Sequence, residues 1–405
     1  MPQRARVGNG GARVRLVRDT IASFVAARAN SRPGARSLQP GNERRAKGLA
    51  DPVTAAPEGP ARSWTAEPRA IVLCIEGSTT VSPMSVWTCP QWLAEAHAWI
   101  REQLEALDVR RTGDIEQPHV RPWSTVMRVP TSRGDLWFKA NIPALAYEAG
   151  VVGVLARTRA DLVPELAAVD LERGWMLMGD GGERLRELVE RERDLGRWLD
   201  VLPHYAELQL STAANADELV ALGAPDRRLR VLEGQYEQLI EEVEDLSAVE
   251  RDRLRACREE VAEMCRQLST VAIPETVQHD DLHDGQVFVR DGRYLFFDWG
   301  DSCVSHPFFS MSVTLEGGLA WGLDDIEGSV DITPFRDAYL RPFASFAGRE
   351  ELEAAHTTAL RLGWVCRALN VRNWAAALPP PHQAEWAKRV RLRLQMFLGS
   401  SGEGG

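Results

Sequence analysis

The chain has 405 residues, of which 44% are hydrophobic and 26% charged, and its formal net charge is −10. That length holds two domains or one large bilobal unit with a substantial core, while the acidic balance argues against a nucleic-acid groove and is compatible with a cationic small substrate. No stretch has the eighteen apolar residues of a membrane-spanning helix, so no membrane partner is expected. The six cysteines are scattered without Cys-x-x-Cys or metal-ligand spacing, which fits free thiols in a cytoplasmic protein.

Residues 1–70 hold 13 Lys+Arg against 5 Asp+Glu, so the rest of the chain is more acidic than the whole. This segment is rich in Ala, Arg, Gly, Pro and Ser, shows no sustained period and lacks the apolar centre of a secretory signal. Residues 1–83 are therefore expected to be a disordered extension, and Met84, just ahead of the first helical pattern, is an alternative start. From Trp87 to Leu107 the residues Trp92, Ala96, Trp99, Leu104 and Leu107 recur at helical spacing. Strand-type segments follow: Pro122 to Val129, a turn through Ser132-Arg133-Gly134, and Leu136 to Ala140. Lys139 ends the apolar run Leu-Trp-Phe and Glu148 follows in a segment that reads as helix; taken alone, that Lys can simply snorkel at a strand end.

Trp175-Met176-Leu177-Met178 is a short apolar run ending at Gly179-Asp180-Gly181-Gly182, a buried strand with a glycine-rich exit. From Leu185 onward the pattern turns helical. Pro225-Asp226 opens a face marked by Leu229, Leu232, Tyr236, Leu239, Val243 and Leu246. A further helix is expected from Val249 to Leu268, with Cys257 and Cys265 on one face. Glu350 to Asn370 and Ala384 to Leu398 read as two more, broken apart by Pro379-Pro380-Pro381, and residues 399–405 as a disordered tail.

Between these helices lies the most informative stretch, Gln278 to Asp301. Gln286 to Val289 and Arg293 to Phe297 are short apolar runs around Asp291-Gly292, the pair that tight hairpin turns prefer. Pairing Arg290 with Arg293 puts Val289 opposite Tyr294 and Gln286 opposite Phe297, which returns Asp298 beside Gln286. Asp281 sits just upstream in a polar loop with His279, Asp280, His283 and Asp284. Two carboxylates and an amide thus converge at one end of a hairpin, where a hard cation can be held. The bland alternative is that these acids merely cap a loop and a turn.

The order of parts decides between the two. This stretch resembles the catalytic loop and metal-binding Asp of the aminoglycoside phosphotransferase and choline kinase family, related in fold to protein kinases. His279 and Asp281 match that family's His-x-Asp, and Asp298 matches the Asp that ends its hairpin. The chain departs at Gln286, where the family usually has Asn, and at Ser310, where a supporting carboxylate usually follows Asp-Pro; here the dipeptide is His306-Pro307.

The resemblance implies an α+β, protein-kinase-like bilobal fold, with a small β-containing N-lobe over residues 84–178 and a mostly helical C-lobe over residues 179–398. It implies an ATP- and Mg2+-dependent phosphotransferase acting on a hydroxyl of a small molecule. Asp281 would orient the hydroxyl, His279 would brace the loop, and Gln286 and Asp298 would bind magnesium. Lys139, paired with Glu148, would hold phosphates, and Ser124 and Thr125 would lie in the phosphate-covering loop expected around Arg121 to Thr125. Met176 and Met178 would pack beside adenine. A rival reading is a regulatory nucleotide-binding protein that has lost catalysis, suggested by Gln286 and Ser310. A protein-directed kinase is disfavoured, because no activation segment of that type is recognisable.

Overall fold

A helical turn at Ser85–Thr88 leads into α1 (Pro90–Ala106), whose proline occupies the first turn, where its missing N–H costs nothing. The structure, a computed structural model, describes residues 85–399; the expectations for residues 1–83 and for 400–405 lie outside the described residues. α1 packs its buried Ala96, Trp99, Ile100 and Leu104 against a five-stranded antiparallel sheet. The strands are β1 (Glu116–Val120), β2 (Ser124–Val129), β3 (Leu136–Asn141), β4 (Leu166–Asp170) and β5 (Trp175–Gly179), in the order β1-β2-β3-β5-β4. β1 escaped the sequence reading: a polar edge strand containing Pro118 has no alternating pattern to read. Between β3 and β4, α2 (Glu148–Thr158) lies against the sheet.

Register decides what faces the interior. Phe138 pairs with Leu177 and Ala140 with Trp175, while Lys139 pairs with Met176 and Trp137 with Met178. Phe138 and Trp175 pack against Trp99, with ring centroids 5.6 and 5.9 Å away, so that face is closed by α1. Because successive strand side chains alternate, Lys139, Met176 and Met178 must point to the other face, towards the helical part of the chain.

The connector Gly179–Gly182 runs into β6 (Glu183–Arg184), which pairs with the hairpin below. A Cβ on Gly181 would lie 2.6 Å from Phe297, and Gly182, at φ +84°, would meet the Val289 carbonyl at 2.4 Å. Only glycine lets the connector press this closely on the hairpin. The helical part comprises α3 (Leu185–Glu192), α4 (Trp198–Thr212), α5 (Ala216–Leu222), α6 (Leu229–Glu242), α7 (Ala248–Ala256) and α8 (Arg258–Thr270). α7 and α8 were expected as one helix. The break falls at Cys257, with φ −81° and ψ 0°, which turns α8 so that Cys265 is buried while Val249 stays exposed.

Then come β7 (Thr276–Gln278), β8 (Val287–Arg290), β9 (Arg293–Phe296) and β10 (Cys303–Ser305), followed by α9 (Thr333–Leu340), α10 (Arg349–Ala375) and α11 (Pro380–Gly399). α11 starts within the proline triplet, since proline is tolerated in a first turn, and Gly399 still belongs to it. No described helix is long and apolar enough to cross a membrane.

Candidate functional site

The hairpin forms in the register its turn dictates. Asp291 and Gly292 both have positive φ, 51° and 74°, and Arg290 pairs with Arg293 and Val289 with Tyr294. The Phe297 amide then donates to the Gln286 carbonyl at 2.8 Å, which brings Asp298 back beside Gln286. The Gln286 side-chain amide donates to Asp298 Oδ2 at 3.2 Å. Asp298 itself has φ +60°, a left-handed conformation that costs a non-glycine residue energy and is found at functional sites.

Lys139 Nζ reaches the same carboxylate, 2.5 Å from Asp298 Oδ1, and lies 2.7 Å from Glu148 Oε1. Glu148 is buried and further held by the Asn141 amide and the Trp299 backbone N–H. Burial works against ionised Asp298, but the Lys139 ammonium outweighs it and holds the carboxyl down at about 2. For Lys139, burial disfavours the cation and the two carboxylates more than reverse that, so its pKa is raised. One side of the Asp298 carboxylate is open: its side chain is 50% exposed. A lysine charge and an open carboxylate therefore share one cleft.

Asp281 lies on the loop between β7 and β8. Its Oδ1 accepts from Arg367 of α10 at 2.7 Å. Arg367 also pairs with Asp301 at 3.1 Å and with buried Asp280 at 3.4 Å, so one buried guanidinium organises three carboxylates. Asp280 has φ +66° and accepts from Gln278 and Asn370. Burial raises the Asp281 pKa, against the lowering pull of Arg367.

His279 is buried, and its Nε2 lies 2.7 Å from the Phe297 carbonyl. Since a carbonyl only accepts, Nε2 carries the proton and Nδ1 is left to accept from the Asp281 backbone N–H at 3.4 Å. Burial lowers its pKa to about 4, so the ring is neutral and ties the β7–β8 loop to the end of the hairpin. The His279 backbone N–H donates to the Tyr205 hydroxyl at 2.9 Å. Tyr205 shares a hydrogen bond with Ser310 at 2.6 Å, and Ser310 donates to Gln278 at 2.9 Å. The hydroxyl of Ser310 thus braces the loop where the resemblance expected a carboxylate.

Ser124 and Thr125, expected in a covering loop, stand in a strand. The turn between β1 and β2 spans only residues 121–123; Ser124 and Thr125 are already in β2 and buried. The Thr125 hydroxyl is spent on the His119 carbonyl at 2.8 Å, so it belongs to the sheet and not to a covering loop. On the Lys139 face at that end stand His119, which opposes Val126, itself paired with Lys139, and Ser124, which pairs with Asn141. Met176 and Met178 are buried on the face of the sheet that Lys139 shares, as their register requires. Next to the connector, Phe288 and Phe297 pack with ring centroids 4.5 Å apart.

A family model for the phosphotransferase enzyme family matches residues 125–354, a span that contains Lys139, Glu148, Asp281, Gln286 and Asp298. The chain belongs to the phosphotransferase enzyme family. Among solved structures, that of the GDP complex of aminoglycoside 2'-phosphotransferase-IIIa is similar at 14% identity and TM-score 0.51, covering 75% of this chain and 97% of that one. An ethanolamine kinase from Plasmodium vivax matches at 12% identity and TM-score 0.49, over 70% of this chain and 81% of that one. A macrolide 2'-phosphotransferase type I matches at 12% identity and TM-score 0.46, over 77% and 99%. A search of curated proteins finds no match. The fold is therefore α+β and protein-kinase-like, with a mainly sheet N-terminal lobe and a helical C-terminal part.

For a phosphotransferase of this family, the parts that local sequence reading missed are those supplied from far along the chain. Arg367, Asn370 and Tyr205 reach the β7–β8 loop from α10 and α4. A helical period marks which face of such a helix is buried, and says nothing of what that face meets. A cavity of about 800 Å3, lined by Trp87, Trp92, Tyr147 and Trp175 among others, lies apart from the Asp281–Asp298 cleft.

Proposed function

We propose that this chain transfers the terminal phosphoryl group of ATP to a hydroxyl of a small molecule in the cytoplasm, with magnesium. The observation that carries this reading is Lys139 held between Glu148 and Asp298, with Asp281 on the adjoining loop. In the transfer the acceptor oxygen bonds to the terminal phosphorus as the bond to the departing ADP oxygen breaks, and the hydroxyl proton leaves towards the Asp281 carboxylate. Arg367 fixes that carboxylate from one oxygen, leaving the other to orient the hydroxyl. Lys139 neutralises phosphate charge, and Met176 and Met178 flank the base.

The donor set fits a hard cation: Asp298 and Gln286 are adjacent oxygen-bearing side chains, and magnesium typically takes one or two carboxylates plus substrate phosphates. Half a turn of the Gln286 amide presents its oxygen where its nitrogen now meets Asp298. When bound, the cation draws off negative charge that builds on the phosphate oxygens. The GDP bound to the related aminoglycoside 2'-phosphotransferase supports a purine nucleotide as donor. The regulatory rival is weakened by Ser310, whose hydroxyl keeps the loop braced.

Asp281→Asn tests the reading. Turnover should fall about 10²–10⁴-fold, the range for a positioned acid–base group, while nucleotide binding measured by calorimetry stays near that of the parent. Undiminished turnover on the true acceptor would remove Asp281 from the chemistry.

A further inference from the structure

Arg367 of α10 reaches Asp281, and Arg393 of α11 sits over Trp364, one turn of α10 away, and the two arginines are in contrasting company. Arg367 is answered by Asp280, Asp281 and Asp301. Arg393 of α11, partly buried, has no carboxylate within 4.0 Å among the described residues, and its Nε has no hydrogen-bond partner. Among the described residues its one polar contact is a weak one, from Nη1 to the Met396 sulfur at 3.7 Å. Burial depresses its pKa, and the neighbouring Arg367 charge depresses it further, while Asp281 and Asp280 pull the other way. Those carboxylates are near enough to be felt, yet both oxygens of Asp280 are taken up by Gln278, Asn370 and Arg367, and Asp281 meets Arg367 through Oδ1, leaving Oδ2 for the acceptor.

A guanidinium cannot shed its proton, so this charge stays. Burying a charge without a partner is unfavourable, and Arg393 is not left to wander. Its guanidinium carbon sits 5.7 Å from the ring centre of Trp364. That indole is buried and pinned by its own N–H, which donates to Glu316 at 2.7 Å. Trp364 stands one helical turn before Arg367 on the same side of α10. With Nε enclosed, the Nη groups of an arginine laid on an aromatic ring remain to meet a planar carboxylate with charge-assisted hydrogen bonds.

On the phosphotransfer reading above, on which this inference rests, we propose that the acceptor is a hydroxy acid. Its carboxylate is received by Arg393, and its hydroxyl points to Asp281. The net charge of the whole chain favours cations, but that field is screened over a Debye length of about 8 Å, whereas Arg393 acts in contact. The transfer chemistry is unchanged; Arg393 selects which hydroxyl is presented.

The experiment compares matched acceptors with the intact protein and Mg-ATP: glycerate against glycerol, gluconate against glucose, and serine against ethanolamine. The parent should prefer the carboxylate-bearing member of each pair by about tenfold or more in kcat/KM, the scale of one charge-assisted hydrogen bond. Arg393→Met should raise KM for the acids more than it lowers kcat, drawing the acid-to-neutral ratio towards one. Arg393→Lys should restore part of that ratio, and the melting temperature of each variant reports its folding. Equal or better use of the neutral or cationic members overturns the proposal, and so does a ratio that Arg393→Met leaves unmoved. ATP turnover with none of the acids also overturns it. The phosphotransfer reading fails separately, if Asp281→Asn consumes ATP as fast as the parent with every acceptor.

Discussion

Gln286 is fixed from both sides before its side chain begins. Its N–H donates to the His283 carbonyl at 2.9 Å, and its own carbonyl accepts from Phe297 at 2.8 Å. The extra methylene relative to Asn is therefore taken up by the side chain, whose amide reaches Asp298 at 3.2 Å. Gly285 does not serve as a hinge with positive φ; a Cβ there would lie 2.7 Å from the His283 ring, so the residue is small for reasons of space. Gln286→Ala should raise the magnesium requirement and lower kcat by about 10–100-fold, the worth of an interaction with a charged group. Gln286→Asn should not improve on the parent, because with the backbone pinned a shorter side chain draws the amide away from Asp298. A magnesium titration of turnover for all three proteins decides it. Identical curves for the parent and Gln286→Ala would mean that this amide is no ligand.

At the scale of elements, the hairpin and α10 were unequally legible. The β8–β9 hairpin could be read to the residue, because its register follows from a two-residue turn and from strands adjacent in the chain. α10 was recognisable as a helix, but its cargo was not. Arg367 meets Asp281 across 86 positions of sequence, and Asn370 meets Asp280 across 90. Such pairings depend on how the whole lobe closes, and no local period encodes them. The strand β1 and the break at Cys257 were missed for the opposite reason, since a polar edge strand and a single non-helical ψ leave hardly any pattern. The importance of α10 can be measured. Arg367→Met strands Asp280, Asp281 and Asp301 without their shared cation, and removing one partner of a buried ion pair costs about 3–5 kcal/mol. Urea unfolding at neutral pH should show that loss, with Arg367→Lys in between. A loss under about 1 kcal/mol, typical of exposed pairs, would show that the three carboxylates are satisfied without it.

Across the whole molecule, contacts between the sheet and the helical part hold the cleft in shape. Trp123, in the β1–β2 turn, packs against Trp374 and Trp386 with ring centroids 5.5 and 5.1 Å away, and Lys139 bridges to Asp298. The order of parts along the chain made this bilobal plan readable, whereas the tryptophan contact joins positions more than 250 apart and was not. The same closed packing has a pH signature. Burial holds His279 at about 4 and His306 and His356 at about 3, against an unfolded value of about 6.5. The folded chain thus refuses protons that the unfolded chain accepts between those values. The stability contributed by these rings is fully present above about pH 6.5 and is lost as pH falls. Each histidine adds at most about 1.4 kcal/mol per pH unit to that slope. His356 is the clearest to isolate, because it is buried on α10 beside Phe308, its Nε2 has no partner among the described residues, and it lies outside the β7–β8 loop. His356→Met keeps an apolar side chain of similar bulk and removes the titrating ring. Stability from urea unfolding at pH 7.5 and pH 5.5 should fall less in the variant than in the parent, by about 1 kcal/mol over that interval. An equal fall in both proteins would mean that His356 takes up its proton in the folded state as easily as in the unfolded one.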